Sequence, residues 1–395
     1  MSEIFKKPTK GPILGLIAGG EDYGVRRAWM GILTALRDCG EPVVMVALAD
    51  GGLRAAFEEN GFVVHVADHR PLPKVTGGQG KIRQMLTRTL AQLGRLGAIQ
   101  ACINEHRPRA LLVRSPLEAP LAALAARRAG IPAYWLLPNG LSDQYPLDIN
   151  RKLYRLAFRY LNLIPVANSH YTATTLGRGN FKRHVVHLGV DPAEFLSPVK
   201  VHSRGDLGLP EEAIVIGIFA RLVPEKGQLQ MIQAIERLGE SASSVHLAVF
   251  GGPLETIYAD ELRRVAAPLG NRVRFFGPVT EVSRYYDMCD IIANTRLDPE
   301  PFGLSVIEAM MTGKPVLAHK AGGPGETVID DVTGWHIRAP SVEAFMDGVS
   351  RMLNDRQRWP AMSEAARQRA LSNFTHTAMV GRLLSVIDST GPEGA

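Results

Sequence analysis

Glu300 and Glu308 stand eight residues apart in LDPEPFGLSVIEAM (297–310), with Pro-Phe-Gly between them. Two carboxylates at this spacing can share a ligand only if the chain between them turns. Pro301 disfavours helix at the residue before it, which confines Glu300 to a loop. Gly303 and its successors can start a helix, GLSVIEAMMTG, whose first N–H groups lack intrahelical partners and suit an anion. Glu308 lies roughly one turn inside, and helical side chains lean back toward the N-terminus. Both carboxylates can therefore border one anion site.

A second group is FARLVPEKG (219–227), directly after an apolar run that reads as a strand. Arg221 and Lys226 at a strand's carboxyl end could stabilise a diphosphate that gains charge as its bond to a sugar breaks. The bland alternative is a solvated loop with two surface charges. Carboxylates beside a phosphate would repel it unless they accept hydrogen bonds from hydroxyl groups attached to it. The arrangement suits a nucleotide-sugar: Glu300 on the hexose, the Gly303 and Leu304 N–H groups on phosphate with Phe302 beside them as a further donor contact, and Glu308 on ribose. Against this stands a reading in which Glu300 caps a helix and Glu308 starts a salt bridge. Gly19 and Gly20, in IAGGEDYG after the first apolar run, could bring backbone close to a ligand or could simply permit a tight turn.

These residues need a frame to hold them. A length of 395 residues suggests two domains. Continuous apolar runs at 13–19, 43–48, 62–66, 110–113, 133–137, 163–168 and 184–188 read as strands buried on both faces of a parallel sheet. Helical patterns lie between them, among them 24–38, 81–104, 117–129 and 148–160. The pattern restarts with strands at 213–220, 245–250, 272–276, 290–294, 315–319 and 334–337. The Pro-, Gly- and charge-rich segment 191–212 reads as a linker. The fold class is α/β, two doubly wound Rossmann-like domains, with ligands expected at strand carboxyl ends and in an interdomain cleft. The boundaries are 1–190, the linker 191–212, 213–371, and a C-terminal helix with its tail at 372–395.

Charge divides unevenly. Residues 1–205 carry 27 Lys and Arg against 15 Asp and Glu, leaving 18 against 24 in the remainder. No acid lies between Asp68 and Glu105, where Arg70, Lys74, Lys81, Arg83, Arg88 and Arg95 accumulate. Such a half attracts phosphates on lipid headgroups or on a lipid-linked substrate. Nucleic acid is disfavoured, because aromatic residues are sparse there and no recognition motif occurs. Three scattered cysteines in no C-x-x-C spacing argue against a disulfide framework and a structural zinc site, and fit a reducing, cytoplasmic setting. No stretch approaches the ~20 apolar residues that span a bilayer. Phosphate-loop, G-x-G-x-x-G, H-E-x-x-H, G-x-S-x-G and D-x-D patterns are all missing.

The run E-P-F-G-L-S-V-I-E-A (300–309) resembles the E-x7-E motif of retaining GT-B glycosyltransferases of family 4. Around it stand ANSHYT (167–172), HLGVDPAEF (187–195), ARLVPEKG (220–227) and AGGPGETV (321–328), in that family's order. NFTHTAMVGRLL (373–384) is similar to its closing helix, which crosses back onto the first domain. The resemblance implies two facing domains, a UDP- or GDP-sugar donor, retention of configuration and no metal cofactor. By motif position it puts Arg221 and Lys226 on the diphosphate, Glu308 on ribose and Glu300 on the donor sugar. It also makes Gly19 and Gly20 a loop closing on the phosphates, and sets FFGPV (275–279), with Phe276 and Val279, beside the nucleobase. Many members carry a His after the strand following G-I-P; here GIPAYWLLPNG has Pro138 and Asn139, so no His-based role carries over. Asn139 could hydrogen-bond a sugar hydroxyl or only shape its turn.

The acceptor, a glycan, lipid-linked or small molecule, is expected on the first domain, with Asn139 and Arg114 as candidate contacts. In KIRQMLTRTLAQLGRLGAI, Ile82, Met85, Leu86, Leu90, Leu93 and Leu96 follow one helical face, with Lys81, Arg83, Arg88 and Arg95 mostly elsewhere. A packed helix with a solvated basic face explains this, as does contact with anionic membrane, peripheral at its inner face. Two other classes fit less well: a non-catalytic binding subunit, and a GT-B-like epimerase or phosphorylase.

Overall fold

The computed structural model describes residues 11–19, 23–73, 81–141, 149–196 and 203–390. The chain forms two compact units, residues 1–187 with 376–395, and residues 188–375.

The first unit contains strands β1 (Ile13–Ile17), β2 (Val43–Ala47), β3 (Val64–Val66), β4 (Ala110–Val113), β5 (Ala133–Leu137), β6 (Leu163–Ala167) and β7 (His184–Val185). They form one sheet in the order β3-β2-β1-β4-β5-β6-β7, every pairing parallel. Parallel neighbours require crossovers, which helices α1 (Tyr23–Asp38), α2 (Gly52–Glu59), α4 (Leu96–His106), α5 (Ala119–Ala129) and α6 (Ile149–Tyr160) supply, with α3 (Lys81–Leu93) preceding α4. β1 and β4 are buried at every residue, as covering on both faces demands. The helix His376–Thr390 belongs to this unit, where the Tyr134 hydroxyl lies 2.7 Å from Thr390 Oγ1.

The second unit repeats the plan with β8 (Ile214–Phe219), β9 (Val245–Phe250), β10 (Val273–Gly277), β11 (Ile291–Asn294), β12 (Val316–His319) and β13 (Gly334–Ile337). Their order is β10-β9-β8-β11-β12-β13, again all parallel. The order reverses between β8 and β11, and the loops leaving those two strands carry Arg221, Lys226 and Glu300. Ile214, Ile216 and Ile218 are buried in one core with Met231, Leu247 and Phe345. Full burial of such a side chain stabilises by about 1.5–3 kcal/mol, so truncation here threatens the sheet and the loops on it.

Three expectations need correction. The segment 191–212 is not a free linker where it is described: Pro192–Leu196 is helical, and Phe195 lies edge-on to Tyr286 at 6.2 Å. Arg204 bonds the Met288 carbonyl and Asp290, at 3.0 and 2.9 Å. Helix 81–104 is two helices, because Gly94 and Arg95 interrupt it. Finally, α3 is turned the other way round. Leu86, Leu90 and Leu93 are 60%, 69% and 44% exposed, whereas Arg88, Gln92 and Arg95 point inward. Buried Glu118 explains this: Arg88 Nη2 and Gln92 Nε2 both donate to its Oε1 at 2.7 Å, since a carboxylate out of water needs such partners. Arg95 donates to the carbonyls of Leu48, Ala91 and Arg70. The solvated basic face therefore loses Arg88 and Arg95.

Candidate functional site

The loop after β8 leaves Arg221 exposed, its carbonyl accepting from Gln228 Nε2 at 2.8 Å. The short turn Pro224–Lys226 comes next, and Thr295 Oγ1 donates to the Lys226 carbonyl at 2.5 Å. Thr295 begins the loop after β11, so this bond ties the two strand-end loops together. Across it, Lys226 Nζ reaches Glu300 Oε2 at 2.8 Å. Arg296 Nη1 lies 3.4 Å from the other oxygen of Glu300, while its remaining donors hold Asp298 at 2.7 and 2.8 Å. That bidentate contact keeps the Asp298 carboxyl below its ordinary range.

Glu300 is extended, as Pro301 requires, and pairs in parallel with Gly322. Gly323 N–H donates to the Glu300 carbonyl at 2.8 Å. A Cβ at Gly322 would overlap that carbonyl, and one at Gly323 would overlap Phe302 backbone. The two glycines of AGGPGETV thus let a second backbone lie directly against the glutamate.

Gly303 has φ 88° and precedes the helix Leu304–Met311, so it sits in the left-handed region that glycine occupies at low cost. Leu304 opens that helix half-exposed. Glu308 is 4% exposed and accepts the Tyr286 hydroxyl at 2.8 Å. Phe302 does not present its ring to a ligand. It is 2% exposed with its ring 6.3 Å from Phe374, so it anchors the turn from inside.

Four aromatic rings stack along the strand ends. Tyr286 lies on Phe219 (4.2 Å, 19°), Phe219 on Phe250 (4.6 Å, 16°) and Phe250 on Phe276 (4.8 Å, 14°). Phe276 is half-buried at the end of this row, and Val279, three residues on, is half-buried too. The second unit therefore brings together Lys226, Glu300, Gly303 and the helix that carries Glu308, with Arg221 and Phe276 on neighbouring strand ends.

The first unit holds the other candidates. Gly19 has φ 112°, and a Cβ there would overlap the Ala49 carbonyl, so its own turn already requires glycine. Gly20 lies outside the described residues. Asn139 is exposed in the bend after β5, where Asn168 Nδ2 holds the Pro138 carbonyl at 2.9 Å. Arg114, directly after β4, is 4% exposed, and burial pushes its guanidinium down to about 10. Its Nε has no hydrogen-bond partner among the described residues.

Sequence reasoning missed Arg296, Thr295 and Tyr286. The signal for Arg296 was present: an isolated carboxylate before a buried Pro-Phe needs counter-charge, and Arg296 is the cation four residues upstream. Tyr286 could not be found that way, because only the fold brings it to Glu308.

Residues 200–369 match the family model described as Glycosyl transferases group 1, and residues 23–193 that described as Glycosyl transferase 4-like domain. The chain belongs to the family 4 GT-B glycosyltransferases. The chain is 34% identical over 212 residues to a GDP-mannose-dependent alpha-(1-6)-phosphatidylinositol monomannoside mannosyltransferase of Mycolicibacterium smegmatis, covering 50% of this chain and 54% of that one. It is 29% identical over 181 residues to a lipopolysaccharide 1,2-N-acetylglucosaminetransferase of Salmonella typhimurium, covering 44% and 47%. These matches span about half the length of each curated relative. Among solved structures, Anabaena Alr3699/HepE in complex with UDP superposes with a TM-score of 0.79 at 25% identity, over 96% of this chain and 100% of that one. The same protein with UDP and glucose gives 0.75.

Proposed function

We propose that this glycosyltransferase moves a hexose from a UDP- or GDP-sugar to an acceptor with retention of configuration. The observation that carries the reading is the meeting of Lys226, Arg296 and Glu300 beside the start of the helix that holds Glu308. Glu300 meets the hexose hydroxyls, its aim fixed by two cations and by the Gly322–Gly323 backbone. Lys226 and Arg221 face the diphosphate, where positive charge counts most as the leaving group forms. Glu308, braced by Tyr286, takes the ribose, and Phe276 borders the base. No metal cofactor enters this transfer; the two cations take that part. Support comes from the family, and from a structural neighbour whose crystals held UDP and glucose.

The acceptor carries phosphate or a lipid phosphate. Buried Arg114, whose Nε has no hydrogen-bond partner among the described residues, favours an anion, and the Mycolicibacterium and Salmonella relatives are named for phosphatidylinositol monomannoside and lipopolysaccharide. Contact with an anionic bilayer surface is the accompanying reading. Its support is the outward Leu86, Leu90 and Leu93 of α3, and in α6 the exposed Leu153, Leu156 and Tyr160 beside Lys152, Arg155 and Arg159. No helix among the described residues is long and apolar enough to cross a membrane.

The test begins with a thermal-shift screen of nucleotide-sugars, since a specific ligand raises the melting temperature. With the best donor, Glu300→Ala is expected to keep nucleotide binding and lose transfer, and Arg221→Ala to weaken both. Full transfer by both variants would sink the reading. Sedimentation with vesicles tests the surface: binding that ignores anionic lipid, or no binding, counts against it.

A further inference from the structure

One cluster in the first unit includes none of the residues assigned above to sugar transfer. Helix α4 carries Cys102 and His106 four residues apart, hence on one face. β3 lies at the sheet edge, beyond β2, with His65 in register with Val46. Residues in register in a parallel pair project to the same side of the sheet, and Val46 packs in the core that contains Ile99, Cys102 and Ile103. His65 is therefore turned toward α4. The two imidazoles meet, Nε2 to Nε2 at 2.8 Å, with ring centroids 4.7 Å apart. With the Cys102 sulfur added, one ligand atom from each of the three residues lies within 4.8 Å of the other two. Cys102 is 4% exposed, and both histidines are half-buried, open enough for an ion to enter.

We propose that His65, Cys102 and His106 form a zinc-type metal site whose fourth ligand is water. Two imidazole nitrogens and a thiolate suit zinc or another late first-row ion, whereas magnesium and calcium take oxygen ligands. Tetrahedral zinc, with Zn–N about 2.0–2.1 Å and Zn–S about 2.3 Å, sets its ligand atoms about 3.3–3.6 Å apart. The histidine nitrogens must separate by only about half an ångström, and the sulfur closes in. Binding releases one proton as the Cys102 thiol becomes thiolate. The imidazole that donates its Nε2 proton to the other shifts to the Nδ1 tautomer, so both rings ligate while neutral. The Glu105 carboxylate, 3.7 Å from His106 Nε2, adds negative charge at the entrance. A bound ion would clasp edge strand β3 to α4. A search for C-x-x-C spacing passes over this set, because Cys102 and His106 are sequence neighbours but His65 arrives only through the sheet. None of the three is among the residues that the transfer proposal uses, and Lys226, Glu300 and Glu308 lie in the second unit, so the two proposals are tested separately.

Full-length protein, reduced and stripped with chelator, is titrated with Co2+ as an optical probe for zinc. One equivalent is expected to give visible d–d bands and a near-ultraviolet thiolate-to-cobalt band, both erased by Zn2+. Zn2+ is expected to raise the melting temperature. Cys102→Ser should abolish the sulfur band, and His106→Ala should weaken Zn2+ binding roughly tenfold or more. His65→Gln, on the partly exposed edge strand, gives a second variant should Cys102→Ser fold poorly, and it should weaken binding likewise. No cobalt bands in the wild type, or an unchanged cobalt spectrum and affinity in the folded variants, overturns the site.

Discussion

Lys226 Nζ and Glu300 Oε2 are 2.8 Å apart although 74 residues separate them in the chain, and their side chains are only 17% and 13% exposed. Little water screens this pair, so each charge depends on the other and on Arg296. Removing one partner leaves a charge half out of water. A double-mutant cycle on Lys226→Met and Glu300→Gln is expected to show coupling of about 1–3 kcal/mol in urea unfolding. Strict additivity would mean the contact contributes nothing to stability.

Gly322 has φ 88° and lies against the Glu300 carbonyl. Gly322→Ala combines an unfavourable backbone region with a clash against backbone, which cannot rotate away. It should lower stability by about 1–3 kcal/mol and reduce transfer even though Glu300 is intact. A melting temperature within a degree or so of wild type contradicts this.

Tyr286→Phe keeps the ring stack on Phe219 but removes the hydroxyl that Glu308 accepts. A buried carboxylate that loses a donor costs about 1–3 kcal/mol. Nucleotide binding should weaken alongside stability, because the Glu308 carboxylate loses its fixed aim. Calorimetric titration with the nucleoside diphosphate measures it, and unchanged affinity removes Tyr286 from the site.

Burial holds His336 and His246 below their ordinary value, with Arg272 and Arg274 adding to the effect at His246. As pH falls through about 6.5, the unfolded chain takes up these protons before the folded one does. Stability from both groups is therefore full above that pH and declines below it, until the folded imidazoles also protonate. Melting temperature plotted against pH should slope downward on the acid side. The double variant His246→Gln/His336→Gln should have a flatter slope, and an identical slope refutes the assignment.

In α3, charge and apolarity exchange their usual parts. Arg88→Ala leaves Glu118 buried with one donor fewer and should destabilise by about 3–5 kcal/mol. Leu90→Ser, at 69% exposure, should change stability by no more than about 0.5 kcal/mol. Chemical denaturation of the two variants gives the ranking, and the reverse order contradicts the placement of the helix.

The strands were legible because parallel sheets write themselves as unbroken apolar runs: 133–137, 245–250 and 334–337 coincide with β5, β9 and β13 to the residue. The extended Glu300, the helix start after Gly303 and the helical place of Glu308 were legible through Pro301 and local helix chemistry. Interactions between distant segments were not. Nothing local says that Glu118 turns α3 around, or that Tyr286 meets Glu308. The helical periodicity of 81–96 was real, but its leucines and its Arg88, Gln92, Arg95 row both repeat like a helix face. Only the buried carboxylate opposite decides which row turns inward.

The close seating of Gly322 and Gly323 against Glu300 has a bearing on how this protein can change. Residues without side chains would never be found by asking what touches a sugar, yet they hold the carboxylate's carrier in place. A library built to alter donor choice should spare both positions while varying the loop around them. A naturally occurring alanine there would look conservative and yet weaken the protein without altering a single polar side chain.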